Sequence, residues 1–297
     1  MTQAELFDPK LFSPHTISGD RDVVNVSSVP QRSPFRYAGG KTWLIPKIRQ
    51  WLQHQGGTDK ELIEPFAGGG IVSLTAVCEN LVDRVTMVEK DEGVAAVWKI
   101  ILNGGAKWLG DAIINFQLTP ESAQKAIDQA SESLESCAFA TIVKNRVNRG
   151  GILAHGASFI KHGENGKGIA SRWYPETLKK RILAIDEIKH RINFIEGDAF
   201  EVCESNANRD DVVFFIDPPY IKTGQRLYRY SEINHQALFD LAQRLQGNFL
   251  LTYDNDSQVQ LWANKYQFET KLIAMKNTHH AKKTELMIGK DLTWLLV

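Results

Sequence analysis

Three short strings in this chain carry side chains and backbone shapes suited to chemistry. The most specific is Asp217-Pro218-Pro219-Tyr220, directly after the five apolar residues Val212 to Ile216. Two prolines fix φ and remove two N–H donors, so the turn leaving that run is extended and rigid. The Asp217 carboxylate and the Pro218 carbonyl can then both point to one spot, with the flat face of Tyr220 beside it. Two converging acceptors suit an amino group, and an aromatic face suits a stacked base. The second string, Glu64-Pro65-Phe66-Ala67-Gly68-Gly69-Gly70, joins a strand end to a helix start. Its glycines let backbone N–H groups approach a ligand, although the spacing is not the dinucleotide G-x-G-x-x-G. About 20 residues further on, Glu89 stands at the tip of a second strand, where a carboxylate accepts both hydroxyls of a ribose. The third string, Ala38-Gly39-Gly40-Lys41-Thr42, invites a P-loop reading. Phe35 occupies the position where that motif needs glycine, so an ATPase is excluded to first order. What remains is a helix start suited to an anionic group such as a carboxylate.

These strings need a scaffold, and the surrounding pattern supplies one. Strands are predicted at Glu61–Phe66, Val85–Glu89, Phe194–Glu196, Val212–Ile216 and residues 249–253. Helices are predicted at Thr42–His54, Ile71–Glu79, Gly93–Leu102 and residues 234–246 and 257–265. Two further strands, 268–275 and 284–288, close the chain. A strand buried on both faces reads as an unbroken apolar run, as Val212–Ile216 does. Strand–helix alternation predicts an α/β fold with a doubly wound, mostly parallel sheet and antiparallel pairing near the C-terminus. The alternation breaks between residues 105 and 192. The organisation expected is an extended arm (1–34), a catalytic domain in two pieces (35–104 and 193–297) and a largely helical insertion (105–192).

Taken as a whole-chain sum, the composition argues against a polyanionic partner. The 297 residues are 43% hydrophobic and 24% charged, with 35 basic against 35 acidic side chains. That balance is a sum of unequal parts. From Thr141 to Ile192 eleven Lys and Arg face Glu164, Glu176, Asp186 and Glu187, so the stretch carries +7 and the remainder −7. Gly150 to Gly168 holds six glycines and little hydrophobic periodicity. Such a stretch suits a surface that meets phosphate and partly orders on contact, with a merely solvated loop as the alternative. No apolar run approaches the ~18 residues of a membrane span, and residues 1–34 have no apolar signal core, so a cytoplasmic protein is expected. Cys78, Cys137 and Cys203 lack metal-ligand spacing and read as free thiols. Adjacent His279 and His280 in a strand would face opposite ways, so no metal site is expected.

Taken in order, the strings resemble the Dam-type DNA adenine-N6 methyltransferases (D12 class, alpha group). Tyr37-Ala38-Gly39-Gly40-Lys41 matches that family's aromatic-Ala-Gly-Gly-Lys element, and Glu64 to Gly70 its acidic-Pro-Phe-x-Gly-x-Gly turn. Glu89, Asp217 to Tyr220 and Lys283-Thr284-Glu285-Leu286 follow in the family's order. Ribosomal-RNA and protein-glutamine methyltransferases share only parts of this set. The resemblance implies an S-adenosylmethionine-dependent methyltransferase fold with a target-recognition insertion, acting on adenine N6 in double-stranded DNA through base flipping. It places Tyr37, Lys41, Pro65, Phe66, Gly68, Gly70, Glu89, Asp198 and Asp217 at the cofactor, with Lys41 near its carboxylate and Glu89 on its ribose. Asp217, Pro218, Pro219 and Tyr220 would hold the target adenine. Asn145, Arg146, Arg149, Lys161 and Arg172 would meet DNA, the arginines reading guanine edges. The continuation found in GATC methylases is absent after Gly151, so no recognition sequence is implied. A monomer beside the nucleoid, with a cognate restriction enzyme as a candidate partner, completes the expectation. The competing readings are an RNA base methyltransferase and a catalytically silent DNA-binding regulator on the same fold.

Overall fold

Seven strands form one sheet in the computed structural model, which describes residues 29–36, 39–154, 156–221, 224–276 and 282–296. They are β1 (Glu61–Glu64), β2 (Arg84–Glu89), β3 (Ile192–Glu196), β4 (Val212–Ile216), β5 (Asn248–Asp254), β6 (Glu269–Lys276) and β7 (Lys282–Gly289). Their order is β3-β2-β1-β4-β5-β7-β6. β3 to β5 in that order pair in parallel, while β7 runs antiparallel between β5 and β6. The expected α/β class and mostly parallel sheet are therefore present. β4 lies at the centre with all five residues buried, as its unbroken apolar run requires. The chain winds outward from β1 to β3 on one side, then returns to build β4 and β5 on the other. Where winding reverses, between β1 and β4, loops part beyond the strands' carboxyl ends and leave a crevice. The strings Glu64–Gly70 and Asp217–Tyr220 leave the sheet at that place.

Boundaries differ from the sequence reading for identifiable reasons. β1 stops at Glu64 because Pro65 has no N–H to continue the ladder. The helix expected from Gly93 begins at Glu92, capped by Asp91, whose carboxylate accepts from the N–H groups of Gly93 and Val94. It does not stop at Gly104-Gly105. A π turn over Ile101–Gly105, with Gly104 at φ +93°, carries the chain straight into another helix, Ala106–Asn115.

Residues beyond that turn are helical over Pro120–Asp128, Leu134–Val147 and Pro175–Ile188. Helix 92–100 packs on helix 134–147, and helix 106–115 on helix 175–188. Ile113, Ala138, Ile142, Leu178, Ile182 and Ile185 join the core that covers one face of the sheet, so these helices do not form a detached lobe. A small satellite cluster of Ala123, Val143 and Val147, flanked by Phe116, Phe139 and Trp173, is the insertion's own. Among the described residues from Arg149 to Arg172, short 3₁₀ turns and one bridge, Asn148 to Phe159, interrupt irregular chain. Of the expected N-terminal arm, the described part begins at Val29. Arg32 is buried there against Glu79, which Arg49 also binds at 2.6 Å. Residues 1–28, Tyr37, His155, His279 and His280 lie outside the described residues.

Candidate active site

The glycine turn takes its shape from the residues beneath it. Gly68 and Gly70 adopt φ of +48° and +61°. A Cβ on Gly70 would overlap Met87 Cε and stand 3.0 Å from Trp98 Cζ2. The Trp98 indole N–H donates to the Gly68 carbonyl at 3.0 Å, so a fully buried ring pins the turn from below. Glu89 reaches across from β2. One carboxylate oxygen accepts from Gly68 N–H at 2.9 Å, the other from Lys90 and Asp91 N–H at 2.8 Å each. Burial pushes Glu89 up to about 7, while those N–H donors pull the other way. Asp198 caps helix Ala199–Ser205 and pairs with Lys90 at 3.0 Å. Burial raises its pKa, but Lys90 and the Phe200 N–H outweigh that and leave it low.

A second group of side chains gathers where β4 ends. Lys41, 3% exposed, donates to Asp217 Oδ2 at 2.7 Å and to the Gly39 carbonyl at 2.8 Å. Glu285 Oε1 on β7 lies 3.8 Å from the same ammonium. Burial pulls the Lys41 pKa down; Asp217 and Glu285 more than offset it, and the net shift is upward. The Thr252 hydroxyl on β5 donates to Asp217 Oδ1 at 2.8 Å, so both Asp217 oxygens are held from within the protein. Burial pushes Glu285 up to about 7 against the pull of Lys41. Glu64, bonded to Ser73 Oγ at 2.5 Å, is pushed by burial up to about 8. Tyr220 stacks on Tyr253, ring centroids 5.8 Å apart, with Lys41 Nζ 5.2 Å from its own centroid.

Both groups open on one cavity of about 1040 Å³. Its wall includes Pro65 to Gly70, Glu89, Asp198, Lys41, Asp217, Pro219 and Tyr228. That volume is at the upper end for small-molecule sites. Pro218, between Asp217 and Pro219, is a buried residue.

Several expected residues sit differently from their expected places. Lys41 does not stand free for a cofactor carboxylate, because buried acids claim its ammonium. Tyr220 packs behind the cavity, and Tyr228 lines it, over Gly39. Asn145 and Arg146 are corrected more sharply. Asn145 is fully buried: its Nδ2 donates to the carbonyls of Arg36 and Gly151, and its Oδ1 accepts from Arg36 N–H at 2.8 Å. Arg146, 3% exposed, donates to the Pro34 carbonyl. Both hold the segment before Lys41 and cannot reach a groove edge. Arg149 and Lys161 are exposed, and Arg172 is half-buried at the cavity wall. Thr252, Glu285 and Tyr228 escaped functional assignment from sequence. A threonine inside the apolar strand Phe249–Tyr253 and an acid before Leu286-Met287-Ile288 were the available signals; Tyr228 lies in a stretch without periodicity.

Residues 37–104 match the family model of the D12 class N6 adenine-specific DNA methyltransferase. The match runs from Tyr37 through the glycine turn and Glu89 to the π turn, and the chain is a methyltransferase. No curated protein matches it. Similar solved structures include a Pyrococcus horikoshii protein given as an RNA methyltransferase, at 11% identity over 84% of this chain and 83% of that chain, TM-score 0.40. The rRNA methyltransferase aviRa of Streptomyces viridochromogenes is 12% identical over 98% of this chain and 93% of that one, TM-score 0.35. A precorrin-6y C5,15-methyltransferase of Geobacter metallireducens is 10% identical over 82% and 86%, TM-score 0.35.

Proposed function

We propose that this chain transfers a methyl group from S-adenosylmethionine to N6 of adenine in double-stranded DNA. The observation that carries the reading is Asp217, oriented on both oxygens by Lys41 and Thr252, opening on the cavity that also holds the glycine turn and Glu89. The cavity fits the cofactor: Glu89 offers a fixed carboxylate for ribose hydroxyls, and the crowding at Gly70 keeps the turn open to a nucleoside. When bound, the cofactor supplies an activated methyl on a sulfonium.

The protein's work is then alignment and charge placement. Adenine N6 is a weak nucleophile because its lone pair is delocalised into the ring. Hydrogen bonds from N6 to Asp217 and to the Pro218 carbonyl would draw the nitrogen toward tetrahedral geometry and localise that pair. Lys41 and Thr252 hold Asp217 still while it accepts, which keeps the in-line approach within about 3–3.5 Å. Reaching N6 in a duplex requires extruding the base, at a cost of a few kcal/mol, into the cavity beside Tyr228. Exposed Arg149 and Lys161 would grip phosphates and offset part of that cost.

Asp217→Ala tests the reading. Cofactor binding should persist, measured by calorimetry, while label transfer from methyl-tritiated cofactor to duplex DNA disappears. Undiminished transfer by Asp217→Ala would remove the central residue from the mechanism.

A further inference from the structure

The cavity has a second charged pole, made by the inserted helices. Arg146, from helix 134–147, is 3% exposed and its Nε has no hydrogen-bond partner. Arg181, from helix 175–188, donates to the Ser33 carbonyl at 3.1 Å. Both line the cavity wall, with Arg172 and Tyr174 alongside. Among the described residues no carboxylate pairs with Arg146 or Arg181. The charged neighbours that act on Arg146 are Arg181 and Arg36, of its own sign. Burial, and then those arginines, hold Arg146 down to about 9.

A buried guanidinium with only carbonyl partners is costly, and a second one beside it costs more. Arg32 and Arg49 share Glu79 and Arg244 takes Glu204, while Arg191, without an acid, spends its guanidinium on the carbonyls of Val77, Val82 and Asp83 and on Asn80 Oδ1. Arg146 has neither an acid nor such a full set, its Nε being left without a partner. The Arg146–Arg181 pair lacks that counter-charge and faces an open volume. A guanidinium fork matches two oxygens of a phosphate or a carboxylate. The choice between them follows from position. The pair sits on the elements that carry the chain's +7, next to exposed Arg149 and to Gly150 and Gly151, which also line the cavity.

The geometry points to Arg146 and Arg181 as a site for one phosphodiester of the nucleic-acid strand whose base is presented to Asp217. This assignment rests on the preceding reading that the substrate is a nucleic acid. It also replaces the guanine-reading role expected of Arg146, because a residue so buried meets only a group that enters the cavity.

The test compares wild type, Arg181→Gln and Arg146→Lys. Binding of a fluorescent duplex is measured from about 50 to 200 mM salt in the presence of S-adenosylhomocysteine. Arg181→Gln should bind roughly tenfold more weakly, with the slope of log K against log salt shallower by about 0.9, one phosphate's worth. Arg146→Lys keeps the charge and loses the fork, so it should lose affinity and retain the slope. S-adenosylhomocysteine affinity should stay near the wild-type value in both, which also reports folding. An unchanged slope in Arg181→Gln overturns the assignment. So does loss of S-adenosylhomocysteine affinity with 5′-methylthioadenosine binding retained, since the pair would then serve the cofactor's carboxylate. Repeating the titration on single-stranded RNA separates the two proposals. A wild type that methylates only RNA ends the DNA reading, while a slope change of about 0.7 on RNA keeps the phosphate site.

Discussion

Replacing Lys41 by methionine removes the ammonium that sits between Asp217 and Glu285, and the structure sets the size of the effect. Side-chain exposure is 3% for Lys41, 18% for Asp217 and 9% for Glu285, so water screens this group little. Breaking a buried ion pair by deleting one partner costs about 3–5 kcal/mol, because the other charge is left uncompensated. Against a total stability of roughly 5–15 kcal/mol, Lys41→Met should be folded but visibly fragile. The loss should depend on pH with a definite sign. Lys41 lowers the pKa values of Glu64 and Glu285, which burial pushes up to about 8 and about 7. Without Lys41 both acids hold their protons to higher pH, so the attraction missing from the variant is one that exists only when they are ionised. The gap between wild type and variant should be widest above about pH 8 and narrow toward about pH 6. Urea unfolding at those two pH values measures it. Lys41→Met/Asp217→Asn should regain most of the stability while remaining inactive, since the stranded charge is gone but the acceptor is too. A loss below about 1 kcal/mol, or one equal at both pH values, would refute the reasoning that the pair is buried and uncompensated.

Other consequences are smaller in scope. Burial pushes Glu89 from 4.5 up to about 7, so its ribose-accepting form is only partly populated at neutral pH. Cofactor affinity should therefore rise as pH increases through about 7, by at most about tenfold per unit below it, and become weak and flat in Glu89→Gln. Calorimetry across that range decides, and a pH-independent wild type would count against a Glu89–ribose bond. The same shift predicts that the unliganded protein loses stability between pH 4.5 and about 7, because the unfolded chain releases that proton first. Gly70→Ala should cost about 1–3 kcal/mol from overpacking against Met87 and Trp98, and roughly 1 more from positive φ. An unshifted melting temperature would contradict the crowding described. Thr252→Val leaves Asp217 Oδ1 without its donor, for a loss of about 1–3 kcal/mol and a lower kcat at unchanged cofactor affinity. Equal falls in kcat and cofactor affinity would show that Thr252 does more than orient Asp217.

The elements that position the site were legible because each carried a local signal. Val212–Ile216 reads as a doubly buried strand, and that is where it lies; Asp217-Pro218-Pro219 marks its end by removing donors. Gly68 and Gly70 sit at positive φ, as a turn between strand and helix demands. Contacts across long sequence distances were not legible. Nothing local to Thr252 says that β5 pairs beside β4 and brings its hydroxyl to Asp217, and nothing local to Glu285 says that β7 inserts between β5 and β6. Likewise Asn145-Arg146 reads from sequence as a polar, basic pair in a basic stretch. Only the docking of residues 31–36 against helix 134–147 turns that pair inward. The helix expected to end at Leu102 shows the opposite error: a π turn over Ile101–Gly105 carries the chain on into Ala106–Asn115, because the flanking helices bury into a shared core.

The central claim is tested most directly by nucleoside analysis of the product. Duplex DNA and a matched RNA are incubated with the purified chain and methyl-labelled S-adenosylmethionine, digested, and separated by mass. The account predicts label in N6-methyldeoxyadenosine from the duplex, and none when Asp217 is alanine. Label confined to RNA nucleosides, or to a base position other than adenine N6, would contradict it.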